Sequence, residues 1–199
     1  TDKKYPKFEP SGVSREAEME IKTEEVTYLA VETVPNIITE LVERHSTGRL
    51  SNGYAKVVVI LTYIVKYLRK VCKQDTNLAI CRKTAMRLIM RRAQNESFED
   101  TKKKLLAEHK LPDNDPVAKL NPFIDGDGVM RSSTRLGKLA PFETANPIIL
   151  HVKSPVTRMI VMHAHIKYQH TVSMNAMIAN LVKQYKIIGL GRYVRRLRQ

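Results

Sequence analysis

Residues 54–73 read YAKVVVILTYIVKYLRKVCK, a run in which apolar side chains point in almost every direction around a helix. Apolar positions all round indicate a helix that is buried on every side, despite the β-branched residues it contains. Ser51 or Asn52 precedes the run, and either side chain can accept a hydrogen bond from a free amide of the first turn. This stretch therefore predicts a buried helix around which the rest of the chain is organised.

Further helices are predicted on both sides of this stretch. Residues 36–45 indicate a short helix with Ile37, Ile38, Leu41 and Val42 on one side. A second helix follows the central one from about Asn77 to Gln94, and a third, polar helix runs from about Ser97 to His109 with Phe98, Leu105 and Leu106 as its apolar anchors. The second helix carries Leu78, Cys81, Ala85, Leu88 and Ile89 as its apolar stripe. It also carries a basic set that is either an exposed face or a second nucleic-acid surface: Arg82, Lys83, Arg87, Arg91 and Arg92.

A β-hairpin is predicted next, after the helix-breaking prolines of LPDNDP. Two short apolar runs, residues 121–124 and 129–131, flank Asp125-Gly126-Asp127-Gly128. Asp-Gly pairs tolerate the positive φ angles of a tight turn. Asp125 and Asp127 are therefore interpreted as turn formers and not as metal ligands.

The last third of the chain predicts one strand and three short helices. The strand is Ile148 to Leu150, and Ser154-Pro155 has the form of a helix start that leads to about Tyr168. Two more helices are predicted from about Ser173 to Gln184 and from about Gly191 onwards. Three short helices with little apolar surface build a small core, which usually needs a metal or a partner.

Together these patterns predict a mainly α protein with a small β-hairpin region. Four parts are expected: an acidic segment 1–45, a helical connector 46–120, a hairpin region 121–152 and a helical unit 153–199.

Charge is distributed very unevenly along the chain, whose formal net charge is +14. Residues 1–46 contain six Lys or Arg and ten Asp or Glu, whereas residues 144–199 contain nine Lys or Arg and no carboxylate. Such a carboxylate-free stretch repels itself unless a polyanion or an acidic protein neutralises it, and nucleic acid is the commonest polyanion. Phosphate contact is expected from the basic residues of the last part, namely Lys183, Lys186, Arg192, Arg195, Arg196 and Arg198.

Several classes of protein are excluded or disfavoured. No apolar run approaches the roughly 20 residues of a membrane helix, and the first residues are too charged for a secretory signal. Cys72 and Cys81 are too few for a disulfide framework, which favours an intracellular protein, nuclear or cytoplasmic, with reduced thiols. No nucleophile elbow, phosphate-binding glycine loop or His-Glu-x-x-His motif is present, so an enzyme is not expected.

Five segments, in order, resemble the polyproteins of BEL/Pao-type LTR retrotransposons. They are RHSTGRLSNGYAKVVVILTYIVKYLRK (44–70), RLIMRRAQNESF (87–98), LNPFIDGDGVMRSSTRL (120–136), NPIILHVKSPVTRMIVMHAHIKYQH (146–170) and YKIIGLGRYVRRLRQ (185–199). In that family the corresponding region follows ribonuclease H and leads into the amino-terminal domain of integrase. The resemblance covers about Arg44 to Gln199, and it places the catalytic carboxylates of the family's enzymes outside this chain.

The resemblance implies a three-helix unit in which two His and two Cys hold one zinc ion. His165 and His170 match the histidine ligands, with His163 as a competitor of His165, and the first Cys is expected just beyond Gln199. Zinc binding is therefore expected only if residues beyond Gln199 complete the site. The sequence departs from the family at Thr171 and Val172, where the family has glycines, and at Lys186, where it has Trp.

Two functional hypotheses follow. The first is a non-catalytic segment of a retrotransposon polyprotein that contacts DNA or RNA phosphates and helps integrase assemble, with other polyprotein domains or further copies of itself as partners. The second is a domesticated descendant that serves as a scaffold for protein–protein interaction, with an acidic protein as the partner of its basic surface. No membrane partner is expected.

Overall fold

Two long helices form the frame of the protein in this computed structural model, which describes residues 34–46, 52–108, 111–112, 115, 117–134, 140–168 and 173–197. Helix α1 spans 34–46, α2 spans Gly53–Val71 and α3 spans Leu78–Glu108. The predicted helices of the first half are therefore confirmed. Asn52 precedes α2, but its side chain makes no capping bond within that helix.

Helix α2 is buried on one side only, so the prediction that it is buried all round was wrong. Val57, Val58 and Leu61 are at most 1% exposed, whereas Tyr63 and Tyr67 are 60% and 67% exposed. Helices α3 and α5 pack against its buried side. The apolar residues on the other side, which include Val59 and Ile60, face solvent in the described structure.

Helix α3 bends sharply at Phe98, whose φ of −141° and ψ of 29° are not helical. The break lies where the sequence predicted the junction of two helices, and it turns the buried Phe98 and Leu105 towards the sheet, where they share a small cluster with Met130 and Ile149. Leu106 and Leu78 were expected to be anchors, but they are 62% and 50% exposed. They fall outside the stripe that the neighbouring elements cover.

A four-stranded sheet lies against α3, with the strands in the order β1-β2-β3-β4. The strands are β1 Pro122–Ile124, β2 Met130–Ser132, β3 Ile148–His151 and β4 Tyr185–Ile188. The pairs β1/β2 and β2/β3 are antiparallel, whereas β3/β4 is parallel. The hairpin and β3 were predicted; β4 was not.

Asp125 forms the hairpin turn as the sequence predicted. Its Oδ1 accepts hydrogen bonds from the amides of Asp127 and Val129 at 3.0 and 2.9 Å. Its Oδ2 accepts a hydrogen bond from Arg131 Nε at 2.5 Å. One carboxylate thus fixes the turn and holds a neighbouring guanidinium.

Gln94 of α3 joins β2 to β3. Its fully buried amide nitrogen donates to the carbonyl oxygens of Met130 and Ile149 at 2.7 and 2.9 Å, and its oxygen accepts from the Met130 amide at 2.8 Å. Because β2 and β3 share a single ladder pair, this side chain supplies bonds that a longer ladder would otherwise make.

The remaining helices are α4 Phe142–Ala145, α5 Pro155–Tyr168, α6 Met174–Gln184 and α7 Leu190–Leu197, with a 3₁₀ turn at Ala118–Leu120. Helices α5, α6 and α7 share one apolar cluster with α1, α2 and α3. The small core expected of the carboxyl-terminal helices is therefore enlarged by α2 and α3. The mainly helical class with a small sheet is confirmed, and no helix in the described ranges is long and apolar enough to cross a membrane.

Candidate nucleic-acid interface

A groove lies where the parallel strands β3 and β4 end. After His151 the chain turns through Val152 and Lys153 into α5, and after Ile188 it passes through Gly189 into α7. Parallel strands bring their carboxyl ends to the same edge of a sheet, the edge at which open α/β sheets bind ligands. The groove has a volume of about 580 Å³ and is lined by His151, Val152, Lys153, Arg158, Ile188, Gly189, Arg192, Tyr193 and Arg196.

Gly189 lets the two turns approach each other closely. Its φ is +85°, a conformation that L side chains rarely adopt, and a Cβ at this position would lie 2.8 Å from Cγ2 of Val152. The Val152 amide donates to the Ile188 carbonyl at 3.2 Å, which extends the strand pairing into the turns. The floor of the groove thus depends on a glycine at this point.

Four cations, Lys153, Arg158, Arg192 and Arg196, line this groove, and no carboxylate among the described residues lines it. Arg158 Nη2 donates to the Lys153 carbonyl at 3.1 Å, which holds its guanidinium beside the turn. Among the described residues every ion pair lies elsewhere in the molecule. The groove therefore concentrates positive charge that the described structure does not neutralise.

Two rings accompany these cations. The His151 Nδ1 accepts a hydrogen bond from the Lys153 amide at 3.0 Å, so in the neutral imidazole the proton lies on Nε2. Burial lowers the pKa of His151, and the charge of Lys153 lowers it further, which favours that neutral form. Burial raises the pKa of Tyr193, an effect that the nearby Arg158 partly offsets, so its hydroxyl stays protonated at neutral pH.

The six basic residues that were predicted to contact phosphate lie in different places in the protein. Arg192 and Arg196, one turn apart on α7, line the groove, whereas Arg195 turns back to donate to the Gly191 carbonyl at 3.2 Å. Lys183 lines a different pocket beside Tyr54, Lys186 is exposed on β4, and Arg198 lies outside the described residues. Sequence reasoning missed Lys153 and Arg158, because only the pairing of β3 with β4 brings them to α7.

Two arginines of the second basic set, on α3, form polar contacts within the fold. Arg87 forms an ion pair with Asp127 at 2.9 Å, and Arg92 Nε donates to Thr39 Oγ1 of α1 at 3.0 Å. Arg91 lies against Gly128, where an added Cβ would be 3.4 Å from its Nε. Arg87 and Arg92 connect α3 to its neighbours, whereas Arg82, Lys83 and Arg91 are exposed, so for those three both interpretations, an exposed helix face or a second nucleic-acid surface, stay predictions.

Of the histidines proposed as zinc ligands, the structure describes His163 and His165. His163 Nδ1 lies 3.1 Å from Asn52 Oδ1, and its ring centroid lies 5.7 Å from that of Tyr54. Burial lowers the pKa of His163, and Lys167 and Arg82 lower it further. This histidine joins α5 to the start of α2.

His165 is half-buried in the last turn of α5, and His170 lies outside the described residues. Among the described residues, no three or more His, Cys, Asp or Glu are grouped closely enough to hold a metal ion. Zinc binding by His165 and His170 stays a prediction that rests on the resemblance.

Comparison of the chain with protein-family models, with curated proteins and with solved structures finds no match. The groove and its residues are therefore the features of the described structure that point to a function.

Proposed function

We propose that this chain is a non-catalytic nucleic-acid-binding segment of a retroelement-type polyprotein, and that the groove between β3, β4, α5 and α7 contacts the phosphate backbone. The observation that carries the proposal is the meeting of four cations in a groove that no carboxylate of the described ranges lines. The BEL/Pao resemblance supports the same function, since in that family the region leads into integrase. Assembly with other polyprotein domains or with further copies is part of the proposal.

Physical chemistry favours a polyanion as the ligand of this groove. Like charges held together repel each other, and a phosphate chain relieves that repulsion while it releases its own condensed counterions. Arginine also matches phosphate geometry with two parallel donors, and three of the four groove cations are arginines. Phosphate-directed contacts carry no sequence information, so binding is expected to tolerate any sequence.

The test is binding of labelled DNA at several salt concentrations between about 50 and 200 mM. If all four cations neutralise phosphates, log K falls with log salt with a slope of about −3. Replacing Arg192 and Arg196 together by Ala should make that slope shallower by about 1.5. The same double variant should bind DNA at low salt tenfold more weakly or worse, where each tenfold loss in affinity corresponds to about 1.4 kcal/mol. The matched control is Arg195→Ala on the same helix, which lies off the groove and should have a clearly smaller effect. Equal losses in the two variants would refute the groove as the binding surface.

The exposed apolar side of α2 favours a second candidate, a protein-interaction scaffold. Ile60, Tyr63 and Tyr67 are spaced along one side of the helix and are 37%, 60% and 67% exposed. An apolar surface of this kind often marks a protein contact. In this case an acidic protein would occupy the basic surface, and binding of DNA would be weak. Concentration-dependent association that Tyr63→Ser with Tyr67→Ser abolishes, together with no salt-sensitive DNA binding, would favour the scaffold.

A further inference from the structure

The groove combines its cations with aromatic surface, a combination that the sequence did not suggest. Contacts to phosphate alone were expected from the basic residues of the last part, although Tyr193 directly follows Arg192 in the chain. In the structure, Tyr193 lines the groove together with Arg192 and Arg196, and the imidazole of His151 lines the same groove. Tyr193 is half-buried, so its ring is held by packing while part of it stays accessible.

The volume of the groove bears on whether a single strand or a duplex is its ligand. Its volume of about 580 Å³ lies within the range of roughly 300–1,000 Å³ that is typical of small-ligand sites. In a duplex the phosphates are outside and the bases are stacked on one another, so a duplex presents no base to a recess of this kind. An unpaired base, in contrast, can leave the stack and lie on a protein ring.

We infer that the groove takes one unpaired nucleotide of a single strand, with its base against Tyr193 and its flanking phosphates against Lys153, Arg158, Arg192 and Arg196. The inference rests on the proposed function and adds the class of substrate to it. Stacking on an aromatic ring accepts any base, because every base has a π-face, so the site stays sequence-tolerant. The Nε2 proton of His151 adds a neutral hydrogen-bond donor for a phosphate or a base oxygen.

The experiment compares three labelled probes on the full chain by fluorescence anisotropy: a short oligothymidine strand, the same strand with abasic sites, and a duplex of equal length. The abasic strand keeps every phosphate and lacks the bases, so it isolates stacking from charge. The full chain should bind the oligothymidine strand roughly five- to a hundredfold more tightly than the abasic strand. Tyr193→Phe, which keeps the ring, should retain that ratio.

Tyr193→Leu, which keeps an apolar side chain where Tyr193 packs on the core, should lower the ratio to about one, mainly through weaker binding of the oligothymidine strand. Circular dichroism of both variants checks that the fold is intact. Equal affinity of the original chain for the intact and abasic strands would overturn the inference while leaving the proposed function standing. Absence of binding to all three probes would overturn both. Displacement of the strand by thymidine monophosphate at the strand's own affinity would assign the groove to free nucleotides instead and would also overturn the inference.

Discussion

Arginines occupy opposite electrostatic settings at the hairpin turn and at the carboxyl ends of β3 and β4. At the turn, Arg131 contacts Asp125 and Arg87 contacts Asp127. In the groove, Arg192 and Arg196 stand beside further cations, and no carboxylate in the described part of the chain lines the wall. The same residue type therefore stabilises the fold in the first region, whereas in the second we propose that it binds a ligand. We therefore expect substitutions of the arginines near the turn to change stability and substitutions of the groove arginines to change binding.

The largest effect on stability is expected from Gln94→Leu. Gln94 is the buried residue that joins β2, the strand of Arg131, to β3. The change removes three buried hydrogen bonds and leaves Met130 and Ile149 backbone groups without these partners. We expect a loss of about 3 kcal/mol in the free energy of unfolding, because each unsatisfied buried group costs roughly 1–3 kcal/mol. Urea denaturation measures it. Gln74→Leu, at an exposed position between α2 and α3, is the control. A loss no larger than the control's would contradict the bridging role of Gln94.

Gly189→Ala tests whether the close approach of the two turns at the groove requires a glycine. The positive φ and the approach to Val152 should together cost about 2 kcal/mol, since a left-handed conformation alone costs roughly 1–2 kcal/mol for a residue with a Cβ. Gly126→Ala is the control, because nothing lies within 4 Å of its added Cβ. Adding Val152→Ala to Gly189→Ala should recover the part of the loss that comes from the clash. If both glycine variants unfold at the same urea concentration, the proposed close approach is wrong.

Acid should weaken the turn through Asp125. Burial by itself would raise the pKa of this carboxyl, but the hydrogen bond from Arg131 and the amides of Val129 and Asp127 together hold the pKa below its ordinary value. A depressed pKa contributes stability above the ordinary value, near pH 4, and that contribution is lost as the pH falls through the lowered pKa. The melting temperature of the original chain should therefore fall more steeply below pH 4 than that of Asp125→Asn. Parallel curves for the two proteins would argue against this linkage.

The smallest effect on stability is expected from the two groove arginines of α7. Replacing Arg192 and Arg196 by Ala removes two exposed charges that form no ion pair in the described structure. The free energy of unfolding should change by no more than about 0.5 kcal/mol, as for most surface substitutions. Arg131→Ala, which removes the partner of Asp125, is the comparison and should cost clearly more. A destabilisation in the double variant as large as that of Arg131→Ala would erase the difference between the two regions.

Local sequence determined much of the secondary structure. The apolar runs predicted α2 and both parts of α3, Asp125-Gly126-Asp127-Gly128 predicted the hairpin turn, and Ser154-Pro155 predicted the start of α5. These features depend on side chains a few residues apart, and their spacing is visible along the chain. The basic character of the last part was equally visible, and it directed attention to Arg192 and Arg196.

Only the tertiary structure decided how these parts meet. The parallel pairing of β4 with β3 brings Lys153 and Arg158 to the wall that α7 forms, and it places Tyr193 among the cations. The pattern of α2 could not show which side its neighbours would leave uncovered, and nothing near Gln94 in the sequence shows that its amide joins two strands. Local spacing indicates which secondary structure a segment can form. The groove, the exposed side of α2 and the Gln94 bridge depend instead on packing contacts between residues far apart in the chain.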